Sequence, residues 1–269
     1  MKTPVVTSSE LKTPWGSSIH YAGPGLMAGL IEQPPLPAFF YFSLSGQASL
    51  TLDPYNQPVA FLLKQSQLLN RPVRCYSLNL PGHGEPKSFE GAMKFWASSF
   101  AKEDIIQLFV KEAIESISYL IDQGYVDHKR IAVGGLSRGG FAALHLAAAD
   151  PRIGSVLAFA PLLDLGVVSE FKEIKDSPLV CASSADHLVE KLVNRNVRLY
   201  IGNRDTCVGT EPAFRFIQKL AEAAYHSKPS VRSPKAELII GPSVGHQGHG
   251  TLPHVFLDGA EWIINIYSS

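Results

Sequence analysis

Six short apolar runs alternate with helix-length segments along this chain, and that alternation restricts its fold more than any other feature. The runs lie at 38–42, 72–78, 130–134, 155–159, 197–201 and 236–240. They are nearly continuous in apolar character, which is expected of strands buried on both faces rather than one. The intervening segments read as helices at 54–70, 100–121, 138–149, 211–226 and, after the last run, 254–267. The second of these carries Ile105, Phe109, Ile117 and Leu120 as a stripe at helical spacing. The first is expected to open with Asp53 as N-cap and Pro54 in its first turn. A strand followed by a crossover helix makes its next strand parallel. The implied fold class is therefore α/β: a mostly parallel central sheet flanked by helices on both faces.

The organisation expected is a single domain over residues 1–269. Residues 1–37 are rich in Pro, Gly, Ser and Thr and read as antiparallel edge strands and loops. Residues 161–195 exceed an ordinary strand connection and are expected to form a small cap. At 45% hydrophobic and 18% charged residues, the chain can fill a sizeable core. Lys plus Arg equals Asp plus Glu at 24 each, so net charge supplies no pull toward nucleic acid or an anionic membrane. The cysteines Cys75, Cys181 and Cys207 are odd in number and form no C-x-x-C pair, which argues against a disulfide framework or a thiolate metal site. The first residues lack the apolar core of a signal peptide, and no run approaches the ~18 apolar residues of a membrane helix. A cytoplasmic location is the expectation; no cofactor, metal, nucleic-acid or membrane partner is expected, and oligomeric state is not readable.

Gly135-Leu136-Ser137-Arg138-Gly139 fits G-x-S-x-G and sits between an apolar strand and a small-residue helix. A serine hydroxyl is a weak nucleophile unless held exposed beside a base, and a sharp strand-to-helix turn with small flanking residues does this. On this motif, and on the Pro81-Gly82-His83-Gly84 turn after an earlier strand, the chain resembles the α/β-hydrolase superfamily from about residue 38 onward. The resemblance implies that fold and a nucleophile, acid and base in that chain order. Ser137 is then the nucleophile. His83 is read as structural.

The resemblance puts the acid after a late strand. Gly202-Asn203-Arg204-Asp205-Thr206-Cys207-Val208 is similar to the acid loop of the prolyl-oligopeptidase and dienelactone-hydrolase branches, which makes Asp205 the acid. The alternative use of Asp205 is to cap the turn before Glu211-Pro212. Asp164 and Asp186 are the other acid candidates. The base follows the last strand, where His246 and His249 both qualify. Distance from the strand end favours His246, and the His249-Gly250 pair, similar to those branches, favours His249. A metal site at the two histidines is disfavoured, because no carboxylate or cysteine lies close in sequence. His254 is expected at the surface, and His145 is expected to pack in the helix behind the nucleophile.

An oxyanion hole needs two aimed N–H donors. The backbone N–H of Arg138 is one. The other is expected from the loop Ser43-Leu44-Ser45-Gly46, with Leu44 first and Ser45 second; the His-Gly that many family members carry there is absent. The Arg138 guanidinium either meets a polar or anionic substrate group or forms a salt bridge beside the helix start, and the salt bridge is preferred. Phe89, Phe95, Trp96 and Phe100 are read as core residues rather than an acyl pocket. The implied activity is hydrolysis of a small-molecule ester, thioester or amide through an acyl-serine, carboxylesterase-like. The alternatives are an aminopeptidase-like serine peptidase and a catalytically weak ligand-binding protein on a hydrolase scaffold.

Overall fold

A computed structural model of the chain describes residues 2–26, 34–83, 91–227 and 234–268. Among these, eight strands form one sheet: β1 (Ser9–Lys12), β2 (Ser18–Ala22), β3 (Leu36–Phe42), β4 (Arg74–Ser77), β5 (Val126–Leu136), β6 (Ile153–Phe159), β7 (Asn196–Gly202) and β8 (Ala236–Gly241). Their order is β1-β2-β4-β3-β5-β6-β7-β8. β1 and β2 pair antiparallel at one edge, and every pairing from β4 through β8 is parallel.

The near-continuous apolar strands are buried on both faces because their alternate residues feed two cores. Phe40 and Phe42 of β3, Val133 of β5, and Val156 and Ala158 of β6 enter one core. Phe39 and Tyr41, Ala132, and Leu157 and Phe159 enter the other. This is the two-residue period of a strand applied to a sheet with helices on each side. The first core is closed by helices α3 (Ala92–Phe100), α4 (Ile105–Asp122), α5 (Arg138–Ala149) and α8 (Thr210–Ser227). The second is closed by α2 (Gln57–Leu68) and α9 (Pro253–Ile266). Trp96 and Phe100 are fully buried and Phe95 packs against the first core, as expected of core residues. Phe89 and Gly84 lie outside the described residues.

Local signals account for most boundaries and mislead at some. Asp104, one residue before α4, accepts from the N–H groups of Ile106 and Gln107. The expected helix over 100–121 is therefore α4, which starts at Ile105 behind this cap, and α3 is a separate helix that ends at Phe100. Asp53 is not an N-cap. Asn56 occupies that position, Pro58 is the first-turn proline, and Asp53 instead accepts from the Gln57 side chain. A six-residue helix α1 (Gly46–Thr51) stands where only a loop was read, capped by the Ser45 hydroxyl on the Ala48 N–H.

Residues 161–195 contain two short helices, α6 (Pro178–Ala182) and α7 (Val189–Leu192), and 3₁₀ turns. They pack beside the first core: Phe171 meets Phe100 edge-on, and the Ser183 carbonyl meets His145 Nε2 at 2.9 Å. Among the described residues, no helix is long and apolar enough to cross a membrane.

Candidate active site

The parallel strands end on one side of the sheet, and their loops build the site. β5 runs straight into α5 through Ser137. Its backbone is at φ 55° and ψ −114°, a conformation costing about 1–3 kcal/mol for a residue with a Cβ. The surroundings hold it there. The Ser137 N–H donates to the Phe159 carbonyl at 2.9 Å, and the Ser137 carbonyl accepts from Phe141 and Leu162. The turn closes only because its flanking residues lack side chains. A Cβ on Gly139 would stand 1.8 Å from the Phe42 carbonyl oxygen, and one on Gly135 would stand 2.1 Å from the Gly139 backbone. The strain at Ser137 and the missing Cβ atoms together turn its hydroxyl out of the sheet end.

The loop after β7 brings Asp205. Its side chain is fully buried, and Oδ1 accepts from the N–H groups of Cys207 and Val208 at 2.9 and 3.0 Å. Oδ2 faces His249 Nδ1 at 2.7 Å. Burial by itself would raise the carboxyl pKa. The bonds from His249, Val208 and Cys207 outweigh burial and hold it below the ordinary value. Asp205 thus makes the turn-capping bonds and the histidine bond at once, one with each oxygen.

The loop after β8 brings His249, whose Nε2 lies 2.9 Å from Ser137 Oγ. This loop lies directly on the acid loop. The Thr206 N–H donates to the Gln247 carbonyl, and a Cβ on Gly248, at φ +77°, would stand 2.3 Å from the Arg204 carbonyl oxygen. Glycine before His249 therefore lets the base loop lie against the acid loop.

Ser137, His249 and Asp205 form one line of hydrogen bonds. His246 does not join it: its side chain is exposed on the rim of the same cavity, while its carbonyl accepts from the His249 N–H at 3.0 Å. Asp164 is spent on the Gly166 N–H at 2.8 Å, and Asp186 pairs with Lys219 at 2.6 Å. His254 is exposed, and His145 is buried in α5.

Of the expected oxyanion donors, the Arg138 N–H opens α5 next to the serine. The Leu44 N–H is already engaged: it donates to the buried Ser49 hydroxyl at 2.9 Å, as does the Ser43 N–H at 3.0 Å. Ser45 caps α1 instead of lining the cavity. The preferred salt bridge for Arg138 is absent. No described carboxylate lies within 4.0 Å of its guanidinium, which is buried over the Trp96 ring at 5.8 Å. The guanidinium lies over Trp96 of α3, and Glu170 stays beyond ion-pair distance.

A cavity of about 420 Å³ opens over Ser137 and His249, with Leu44, Tyr55, Leu136 and Phe256 as its apolar wall. Tyr55 and Phe256 were not singled out from sequence. They reach the site from the turn before α2 and from within α9, and nothing local marks them. None of residues 161–195 is among its described lining.

A family model described as the alpha/beta hydrolase family matches residues 51–180. A Klebsiella pneumoniae structure described as a dienelactone hydrolase covers 98% of this chain and 99% of its own, with TM-score 0.67 and 16% identity. Dipeptidyl peptidase 4 of Porphyromonas gingivalis gives TM-score 0.65 and 15% identity over 98% of this chain and 36% of its own. The inactive dipeptidyl peptidase 10 of Rattus norvegicus is 28% identical over 158 residues, 55% of this chain. The chain spans about a fifth of the length of the curated relatives it matches. The chain has the α/β-hydrolase fold and is similar to the dipeptidyl-peptidase and dienelactone-hydrolase branches.

Proposed function

We propose that the chain is a serine hydrolase that cleaves small esters through an acyl-serine intermediate, with Ser137 as nucleophile, His249 as base and Asp205 as acid. The observation that carries this is the unbroken line from Ser137 Oγ through both His249 nitrogens to Asp205, at 2.9 and 2.7 Å, beside an apolar cavity. With Nδ1–H donated to the carboxylate, Nε2 is left as an acceptor facing the hydroxyl. His249 removes the Ser137 proton as Oγ attacks the acyl carbonyl. Asp205 stabilises the imidazolium so formed. His249 then protonates the leaving group and activates the water that releases the acid. The Arg138 N–H is assigned to the developing oxyanion. Its second donor is the Leu44 N–H, shared with or released from Ser49.

The site is read as part of one domain in a cytoplasmic protein that acts on small molecules. The cap of residues 161–195 is assigned a place outside the described cavity wall, with Glu170 near enough to act electrostatically on Arg138 and Cys207. Peptidase action is the second reading, favoured by the likeness to dipeptidyl peptidases. A fluorophosphonate probe is the test. Labelling of the wild-type chain and not of Ser137→Ala is expected. A folded wild-type chain that takes no label is instead a binding protein. Comparing 4-nitrophenyl esters with aminoacyl amides then separates esterase from peptidase.

A further inference from the structure

The residue after the serine carries a charge that no described residue pairs with. Arg138 is only 8% exposed and lies on the lining of the Ser137 cavity. Its Nη1 is buried, and no described residue accepts a hydrogen bond from it. Trp96 lies under the guanidinium at 5.8 Å, a contact that tolerates a cation without neutralising it. Of the charged or titratable neighbours, Glu170 is outside ion-pair distance, and His83 is itself held neutral, at about 4, by burial and by the arginine's charge. Burial brings Arg138 down to about 10, which leaves it cationic at neutral pH. A buried cation without a partner is costly, and one built into a reaction cavity is best compensated by an anion that arrives there.

We propose that Arg138 is a recognition residue for a carboxylate on the substrate. The substrate class is then an ester with an apolar body against Leu44, Tyr55, Leu136 and Phe256 and a carboxylate that meets the guanidinium fork. Guanidinium suits this because its parallel N–H groups match the two carboxylate oxygens. The inference rests on the serine-hydrolase reading and narrows its substrate. The carboxylate sits on either the acyl or the leaving-group side, and the experiment separates these.

Two matched pairs serve as probes. The first is 4-nitrophenyl hydrogen glutarate against its methyl ester, with the charge on the acyl side. The second is 4-carboxyphenyl butyrate against 4-carbamoylphenyl butyrate, with the charge on the leaving group. The readout is the ratio of kcat/KM, anionic over neutral, within one protein. Damage to folding or to the adjacent backbone donor cancels in that ratio. In one pair the wild type is expected to prefer the anion by about ten- to a hundredfold, from charge-assisted hydrogen bonds. In Arg138→Met the ratio falls to about one, and in Arg138→Lys part of it returns. Should Arg138→Met not fold, glutarate and glutaramide are compared as inhibitors of neutral-ester turnover by the wild type, where only glutarate is expected to compete. Wild-type ratios near one in both pairs, a ratio that survives Arg138→Met, or equal inhibition by glutarate and glutaramide overturns the proposal. A wild-type chain that labels with fluorophosphonate but gives these results loses only the carboxylate site. A chain that does not label loses the hydrolase reading as well.

Discussion

Replacing Asp205 by Asn separates the two uses of this side chain. Oδ1 holds the Cys207 and Val208 N–H groups, and Oδ2 accepts from His249 Nδ1. The asparagine carbonyl can keep the first two bonds, so its NH₂ must face Nδ1. Nδ1 then becomes the acceptor, the ring proton moves to Nε2, and Nε2 donates to Ser137 Oγ instead of taking its proton. A wrong tautomer of this kind is expected to cost about 10⁴ in kcat, or about 5.4 kcal/mol of transition-state stabilisation. Folding should suffer much less, because the turn stays capped. Asp205→Ala, by contrast, strips both N–H groups of their acceptor and should lose about 1–3 kcal/mol of stability as well as activity. The assay is steady-state hydrolysis of a 4-nitrophenyl ester, with urea denaturation of both variants alongside. Retention of more than about a tenth of wild-type kcat by folded Asp205→Asn refutes the assignment of the acid.

Three further expectations can be checked on the same protein. His249→Ala should lower ester turnover by at least ~10³-fold and His246→Ala by only a few-fold, and the opposite pattern would move the base to His246. Ser49→Ala leaves the buried Ser43 and Leu44 N–H groups without an acceptor and should cost about 1–3 kcal/mol in urea denaturation; a loss under ~0.5 kcal/mol would contradict this. The folded-state pKa of Asp205 is depressed, so its carboxylate adds stability above the unfolded value near 3.9 and loses it as pH falls through the lower folded value. The difference in Tm between the wild type and Asp205→Asn should accordingly stay level above about pH 5 and shrink below about pH 4; a difference unchanged to pH 2 would contradict the depressed pKa.

The sheet and the nucleophile turn were legible because their determinants are local. Apolar runs of strand length record burial on both faces, and Gly135, Ser137 and Gly139 are five consecutive positions' worth of geometry. The helix start after Asn56 was not: Asp53 has the chemistry of a cap but accepts from the Gln57 side chain, while Asn56 holds the N-cap position with no side-chain capping bond and donates to the Leu50 carbonyl. His249 could not be separated from His246 by position alone. What decides between them is the seat of the Gly248 backbone on the Arg204 carbonyl, a contact across 44 residues. Tyr55, Phe256 and the Ser49 clamp on the loop after β3 were missed for the same reason: each acts through tertiary placement. Arg138 was visible as a residue, but its lack of a salt-bridge partner is a property of the folded surroundings.

The acyl-enzyme itself is the most direct object to measure. Rapid mixing with a 4-nitrophenyl ester, acid quench and peptide mapping should reveal one acyl group per chain, carried on Ser137 and lost on incubation in water. An acyl group found on another side chain, or turnover of the ester with Ser137 replaced by Ala at the wild-type rate, would contradict the account.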